Sequence, residues 1–397
     1  MKAWTALEDS SSKPKTVLCR LICDLTTCSS EPGPTNSPPS TKNCLDEEGE
    51  DMMLGNTPYV VSRAKARRQK LADRARLRQL INQSVDQLTV AVGDIGYRAE
   101  IDLYAGKLSG GDLVEAALTH NLEGELTEMV NMSNRTIRPL IEIYTSRFEY
   151  QNAKAVFRAI HNEVSVEEVG NSILPEINDV NTPWLKVVES CDDMKSAANL
   201  MRRKAFGPAL AKVPEDGRLS DYEDALDRHY YAASLKALVQ AKGAPARFLK
   251  QLFAAEIDHT NISNILEASA VGIDNERLVS LLIPGGQLVP KRAFSSIATG
   301  GRSAMLDLLR SANRFDFQSF ESALEEAETS RSLDSVVTWM DAREHDMMQR
   351  MSYLHPVSAL PIIYYIAMKV QEVSDLRLIV RGRLAGLSAA VLEAHLL

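Results

Sequence analysis

From Tyr59 to the C-terminus, apolar residues recur at intervals of three and four, and the strict alternation of a half-buried strand is hard to find. Segments 113–130, 323–340 and 359–373 show this spacing most clearly. Good helix formers fill the intervening positions. Glycine and proline gather at Leu174-Pro175, Val213-Pro-Glu-Asp-Gly217, Lys242-Gly243, Ile283-Pro-Gly-Gly286 and Gly300-Gly301, where helices should stop. The pattern predicts an all-α protein.

Within the pattern lies a repeat. In segments 148–157, 257–266 and 371–380, an acid (Glu149, Asp258, Glu372) stands three residues before an anchor (Asn152, Asn261, Asp375), and apolar pairs follow four and five residues after it. Thirteen residues beyond the anchors, Ser165, Asp274 and Ser388 each offer a helix N-cap. Upstream, Tyr97, Phe206 and Phe315 are spaced 109 residues apart, the same interval that separates Asn152 from Asn261. Asp112, Ala116, His120, Leu126 and Val130 recur as Asp221, Ala225, His229, Leu235 and Val239. The third copy is slightly longer, with 114 residues from Asn261 to Asp375. Three similar helical bundles are therefore expected, over 53–175, 176–286 and 287–397. At about 110 residues each they are far longer than the roughly 34–47 residues of helix-pair solenoid repeats.

Residues 1–52 differ in character. Ser, Thr, Pro and Gly crowd 10–12 and 29–41, and acids cluster at Asp46, Glu47, Glu48, Glu50 and Asp51. Such a segment buries too little apolar surface to offset its chain entropy, so a disordered extension is expected. The adjacent Met52 and Met53 mark a second candidate start of translation. The apolar stretch 16–24 is interrupted by Arg20 and Asp24, which argues against a secretory signal. The best apolar run, 361–370, is broken by Lys369 and falls short of the roughly 18 residues of a spanning helix. Cys19, Cys23, Cys28 and Cys44 lie in the extension with irregular spacing, and Cys191 stands alone beyond it. A reducing compartment fits this better than a disulfide framework or a zinc site.

The chain has 397 residues, with 45 Lys and Arg against 53 Asp and Glu, a net charge of −8 that argues against a nucleic-acid binder. Candidate chemistry is sparse. Ala298-Thr-Gly-Gly-Arg-Ser303 resembles a fragment of a phosphate loop but lacks the lysine and the first glycine, so it reads as a turn. The seven histidines form no His-Glu-x-x-His frame, and the equivalent positions of His120 and His229 point to packing. The acidic pairs Glu325-Glu326 and Asp192-Asp193 have no apolar surroundings to shift them. Basic residues over 63–78 (Arg63, Lys65, Arg67, Arg68, Lys70, Arg74, Arg76, Arg78) read as one helix, with Asp73 its only acid. This helix is either a solvated face, a cover for acids 46–51, or a site for anionic lipid, RNA or an acidic partner. Arg377, Arg381 and Arg383 read as a second basic ridge.

The final segment, 365–387, with Glu372, Asp375, Arg377, Gly382, Arg383 and Gly386, resembles the C-terminal signature of the C subunits of archaeal-type (A/V-type) rotary ATP synthases, which are relatives of the d subunits of vacuolar ATPases. Tyr59, Arg63, Lys65 and Arg67 are similar to that family's opening, and Asp112–Leu118, Asn121-Leu122 and Arg147–Asn152 also fit. The resemblance spans 53–397. It departs at Asp375, where the family usually has Asn, and in the extension, which has no family counterpart.

The resemblance implies a funnel of three bundles around a pseudo-threefold axis. It implies a non-catalytic protein of the central stalk, without cofactor or metal, peripheral on the cytoplasmic face of the membrane. There it would link the rotor axle to the proteolipid ring and pass torque between ATP turnover and proton or sodium transport. Broad contact faces would serve that role better than a pocket. Candidate contacts are Arg67, Arg74, Arg78, Arg377, Arg381 and Arg383, because surface charge sets orientation across a polar interface. The alternative from another class is a soluble helical scaffold that binds anionic lipid or RNA through 63–78.

Overall fold

The computed structural model describes residues 56–166, 169, 182–313 and 315–396, and the extension with its four cysteines lies outside them. The described residues contain helices and turns, and no strand. The chain opens with α1 (Thr57–Arg68), α2 (Arg74–Ile81), α3 (Val85–Val92) and α4 (Arg98–Tyr104), followed by the long α5 (Gly110–Met132) and the pair α6 (Arg138–Thr145) and α7 (Arg147–His161). Next come α8 (Thr182–Ser190), α9 (Met194–Leu200), α10 (Gly207–Leu210), the long α11 (Leu219–Gln240) and α12 (Ala244–Val271), and the short α13 (Asn275–Leu281). The last third holds α14 (Phe294–Ser311), α15 (Phe317–Ser330), the long α16 (Asp334–Leu354) and α17 (Leu360–Leu384), and the short α18 (Ala389–Ala394).

Local chemistry sets the starts. Asp274 accepts the Arg277 N–H at 2.9 Å and Ser388 the Val391 N–H at 3.4 Å, so both expected caps open the short helices that follow α12 and α17. Proline occupies the first turn of α1, α6, α12 and α17, where its missing N–H costs nothing.

Two expectations about helix extent are corrected. The basic stretch 63–78 is not one helix. It breaks after Arg68, and Asp73 caps α2 by accepting the Arg76 N–H at 2.7 Å. Segment 323–340 is likewise two helices, because Arg331 adopts a left-handed conformation (φ 56°) that ends α15 before α16 begins. Gly300-Gly301 lies inside α14, where Gly301 (φ 52°, ψ −132°) kinks the helix.

The long helices pack in a definite order. Among the long helices, α7 lies on α11, α12 on α16, and α17 on α5. The last contact brings the end of the chain back against its beginning. Because α17 also packs on α1 and α2, it is enclosed on most sides and buries residues along nearly its whole length.

The apolar core falls into two clusters. One runs from Val60 through Ile257 and includes Ile362–Leu396; the other spans Ile262–Met340. Between them α12 carries a buried polar layer of Asp258, His259, Thr260, Asn261, Ser263 and Asn264. Asp258 accepts the N–H groups of Gln287, Leu288 and Val289 at 2.8–2.9 Å, and Gly286 is required there because a Cβ would collide with the carboxylate. Asn261 donates to the Ile283 carbonyl at 2.8 Å and accepts the Ile283 N–H at 2.7 Å. The Pro-Gly-Gly loop is thereby stitched to α12. Asn261→Ala should leave both Ile283 groups buried and unpaired, lowering stability by about 2–4 kcal/mol in urea denaturation, whereas an exposed Asn→Ala change should cost far less.

Candidate functional site

The repeat anchors mark where distant stretches of the chain meet. Glu372, buried on α17, accepts the Ala72 N–H at 2.6 Å on Oε1 and the Tyr97 hydroxyl at 2.7 Å on Oε2, and Lys369 donates both to that same Oε2 at 2.9 Å and to the Tyr97 oxygen at 2.8 Å. Burial pushes the Tyr97 phenol well above its usual range, with the Glu372 charge adding to the shift. The equivalent acid Glu149 pairs with Lys204 at 3.0 Å, and Asp258 holds the 287–289 backbone. Each of these acids is therefore answered from a distant stretch of chain: Glu149 from Lys204, Asp258 from 287–289, and Glu372 from Ala72 and Tyr97.

The other anchors are packing residues. Phe206 meets Tyr150 with ring centroids 5.2 Å apart, and Phe315 meets Phe320 at 5.3 Å and Trp339 at 5.4 Å. Asn152 is buried, and Asp375 is buried and accepts from Gln371 at 2.8 Å. His120 and His229 each reach a tyrosine hydroxyl, Tyr104 at 3.1 Å and Tyr150 at 2.8 Å. Burial lowers the basicity of His229.

The basic residues occupy unequal positions. Arg67 contacts Glu125 at 2.6 Å and Glu128 at 2.5 Å on α5, and the Tyr365 hydroxyl also donates to Glu125 at 2.7 Å. The Arg67 hydrogen bond holds the Glu128 carboxyl below its ordinary range. Arg377 is buried and donates to Thr119 at 2.7 Å, Arg381 forms a two-bonded pair with Glu115, and Arg383 donates to the Gln83 carbonyl at 3.2 Å. The arginines of the supposed second ridge are thus each held by a partner, with Arg377 buried and Arg381 still 41% exposed. Arg74 is exposed, and Arg78 bridges at the surface to Glu393 at 2.6 Å. The basic residues of 63–78 are thus divided between α1 and α2, with Arg67 engaged by α5 and Lys70, Arg74 and Arg78 exposed.

The carboxylates that answer Arg67 and Arg381 were not singled out in the sequence. Glu115, Glu125 and Glu128 lie within or beside the apolar pattern of 113–130. Charges embedded in an apolar stripe are the signal that marks them.

Among the described residues no group of three or more His, Cys, Asp or Glu is placed to hold a metal ion. A cavity of about 610 Å³ beside α10, α11 and α13 is lined by Lys212, Asp221, Asp224, Arg228, His229 and Arg277. Asp221 there caps the Arg218 N–H at 2.8 Å, and no nucleophile meets a base among these lining residues. Arg302, beside the Gly301 kink, pairs with Glu328.

Comparison with known proteins gives a consistent picture. Residues 60–395 match the family model for the ATP synthase (C/AC39) subunit. The chain is 29% identical over 345 residues to the C subunit of the A-type ATP synthase of Haloferax volcanii, covering 86% of this chain and 97% of that one. It is 25% identical over 355 residues to the corresponding protein of Methanococcoides burtonii (89% and 97% covered) and 27% identical over 345 residues to that of Halorubrum lacusprofundi (86% and 97%).

The Arg67 pair carries a pH signature. The folded Glu128 carboxyl is depressed, so the pair contributes above the ordinary carboxylate range and is lost as pH falls through the folded value. Arg67→Gln should cost about 1 kcal/mol at pH 7, the modest figure for a partly exposed pair, and this penalty should shrink as pH falls through the depressed folded value of Glu128 when denaturation curves are compared.

Proposed function

We propose, for a chain that belongs to the ATP synthase (C/AC39) subunit family, a non-catalytic role in the central stalk of an A/V-type ATP synthase. It joins the rotor axle to the membrane proteolipid ring, on the cytoplasmic face, and passes torque between ATP turnover and the transport of protons or sodium ions. The observation that carries this reading is the family match across nearly all of the described chain.

The packing supports it. Three copies, 53–175, 176–286 and 287–397, arranged as a funnel with pseudo-threefold symmetry would require each unit to contact the next in the same way. The contacts α7 on α11, α12 on α16 and α17 on α5 have that cyclic order. A part that transmits rotation must resist shear between its units, and charge-assisted hydrogen bonds across the α17–α5 and α7–α11 contacts suit that demand. No described helix is long and apolar enough to cross a membrane, which is consistent with peripheral attachment through the complex.

Of the six candidate contact arginines, Arg74 and Arg78 remain on the surface and are the ones we assign to the ring or axle. Arg377 and Arg381 hold α17 on α5, Arg383 ties α17 to the Gln83 carbonyl, and Arg67 ties α1 to α5.

The native protein should co-purify with a ring of small proteolipids and stay bound through a high-salt membrane wash; release with salt, or absence from purified rings, would refute the role. Arg74→Glu combined with Arg78→Glu should weaken retention on purified rings several-fold with the fold unchanged by circular dichroism, and full retention would remove these two residues from the contact.

A further inference from the structure

Helix α11 presents two faces with different chemistry. Glu223 and Asp227, four residues apart, pair with Arg158 and Lys154 of α7 at 2.5 Å each, so that face is spent on helix packing. One residue further on, about 100° round the helix axis, Asp221, Asp224 and Arg228 share a second stripe. This stripe forms one wall of the cavity of about 610 Å³, and Lys212, beyond α10, and Arg277 of α13 contribute to the others.

The cations of this cavity differ from those elsewhere in the fold. Arg67, Arg147, Arg158 and Arg381 each face a carboxylate. No ion pair among the described residues reaches Lys212, Arg228 or Arg277, although Arg228 is half-buried. The Arg228 Nε is buried and has no hydrogen-bond partner among the described residues. A guanidinium N–H removed from water and given no acceptor costs free energy, so it calls for a partner. The acids on the same wall do not supply one. Asp221 accepts the Arg218 N–H at 2.8 Å, and Asp224 has a contact of its own. His229 on that wall is held by the Tyr150 hydroxyl at 2.8 Å.

We propose that this cavity binds a phosphate group, carried by a soluble compound or by a lipid headgroup, with Arg228, Arg277 and Lys212 as the residues that hold it. Guanidinium groups bond phosphate oxygens in pairs and fix their geometry, whereas an ammonium acts as a point charge, so the two arginines orient the anion and Lys212 adds attraction. A phosphate dianion or a pyrophosphate matches three cations beside two engaged acids better than a monocarboxylate does. The volume lies within the roughly 300–1,000 Å³ of small-molecule sites. The described lining includes no Phe, Tyr or Trp on which a nucleobase could stack, which favours a compact anion. The site rests on the residues of the cavity and is independent of the stalk reading.

Titration calorimetry of the full chain with pyrophosphate and with glycerol phosphate, at an ionic strength fixed with chloride, tests it. Saturable binding is expected, with a melting temperature that rises with ligand concentration. Arg228→Gln and Arg277→Gln should each weaken binding about tenfold, whereas Lys107→Gln combined with Lys250→Gln, which removes two exposed charges outside the cavity, should leave it unchanged. Arg277 is exposed, so its variant keeps the fold and decides the matter even if Arg228→Gln does not fold. Flotation with phosphatidylcholine vesicles, with and without phosphatidic acid, separates the two sources. Binding of the soluble anions assigns a free phosphate compound; capture by the acidic vesicles alone, lost in the Arg277 variant, assigns a headgroup. No saturable binding in either assay, or an equal loss in the Lys107 and Lys250 variant, would overturn the proposal.

Discussion

A carboxylate placed on a helix that is enclosed on most sides must be answered, and that constraint orders the whole molecule. Glu372 and Asp258 are buried and Glu149 is partly so. An unpaired buried carboxylate costs several kcal/mol, so Asp258 and Glu372 hold their helices in place only with their partners present. For Glu372 those partners include Ala72 and Tyr97, some 300 residues back along the chain. The packing of α17 against the start of the chain is the outcome.

The same position is met with different chemistry each time. A lysine answers Glu149, three backbone N–H groups answer Asp258, and a mixture of N–H, phenol and ammonium answers Glu372. The side-chain contacts between the long helices vary in the same way. Cations meet carboxylates at α7–α11 and α17–α5, and His259 lies against Glu344 at α12–α16.

Much of this is legible in the amino-acid sequence, and the reasons are local. The all-α class, the positions of the long helices, the Asp274 and Ser388 caps and the repeat anchors all follow from spacing within a few residues. The acid of the acid-and-anchor pattern meets a distant stretch of chain in each of its three occurrences, with different partners each time. Cations mislead for the complementary reason. Whether an arginine faces water or a neighbour depends on which helix lies across from it, and the partners of Arg67, Arg377 and Arg381 lie 58–266 residues away. Their acids are visible only as charges inside an apolar stripe. The break at 69–73 has a signal that the density of basic residues obscures, since Asp73 precedes a helical turn and caps it.

The closing contact between Arg381 and Glu115 gives the most direct test, through a double-mutant cycle on unfolding free energy with Arg381→Gln, Glu115→Gln and both together. Packing of α17 on α5 predicts a coupling of about 1–3 kcal/mol between residues at opposite ends of the chain. Additivity within about 0.3–0.5 kcal/mol would mean that the last long helix does not rest on the first, and the packing of α17 against the start of the chain would be wrong.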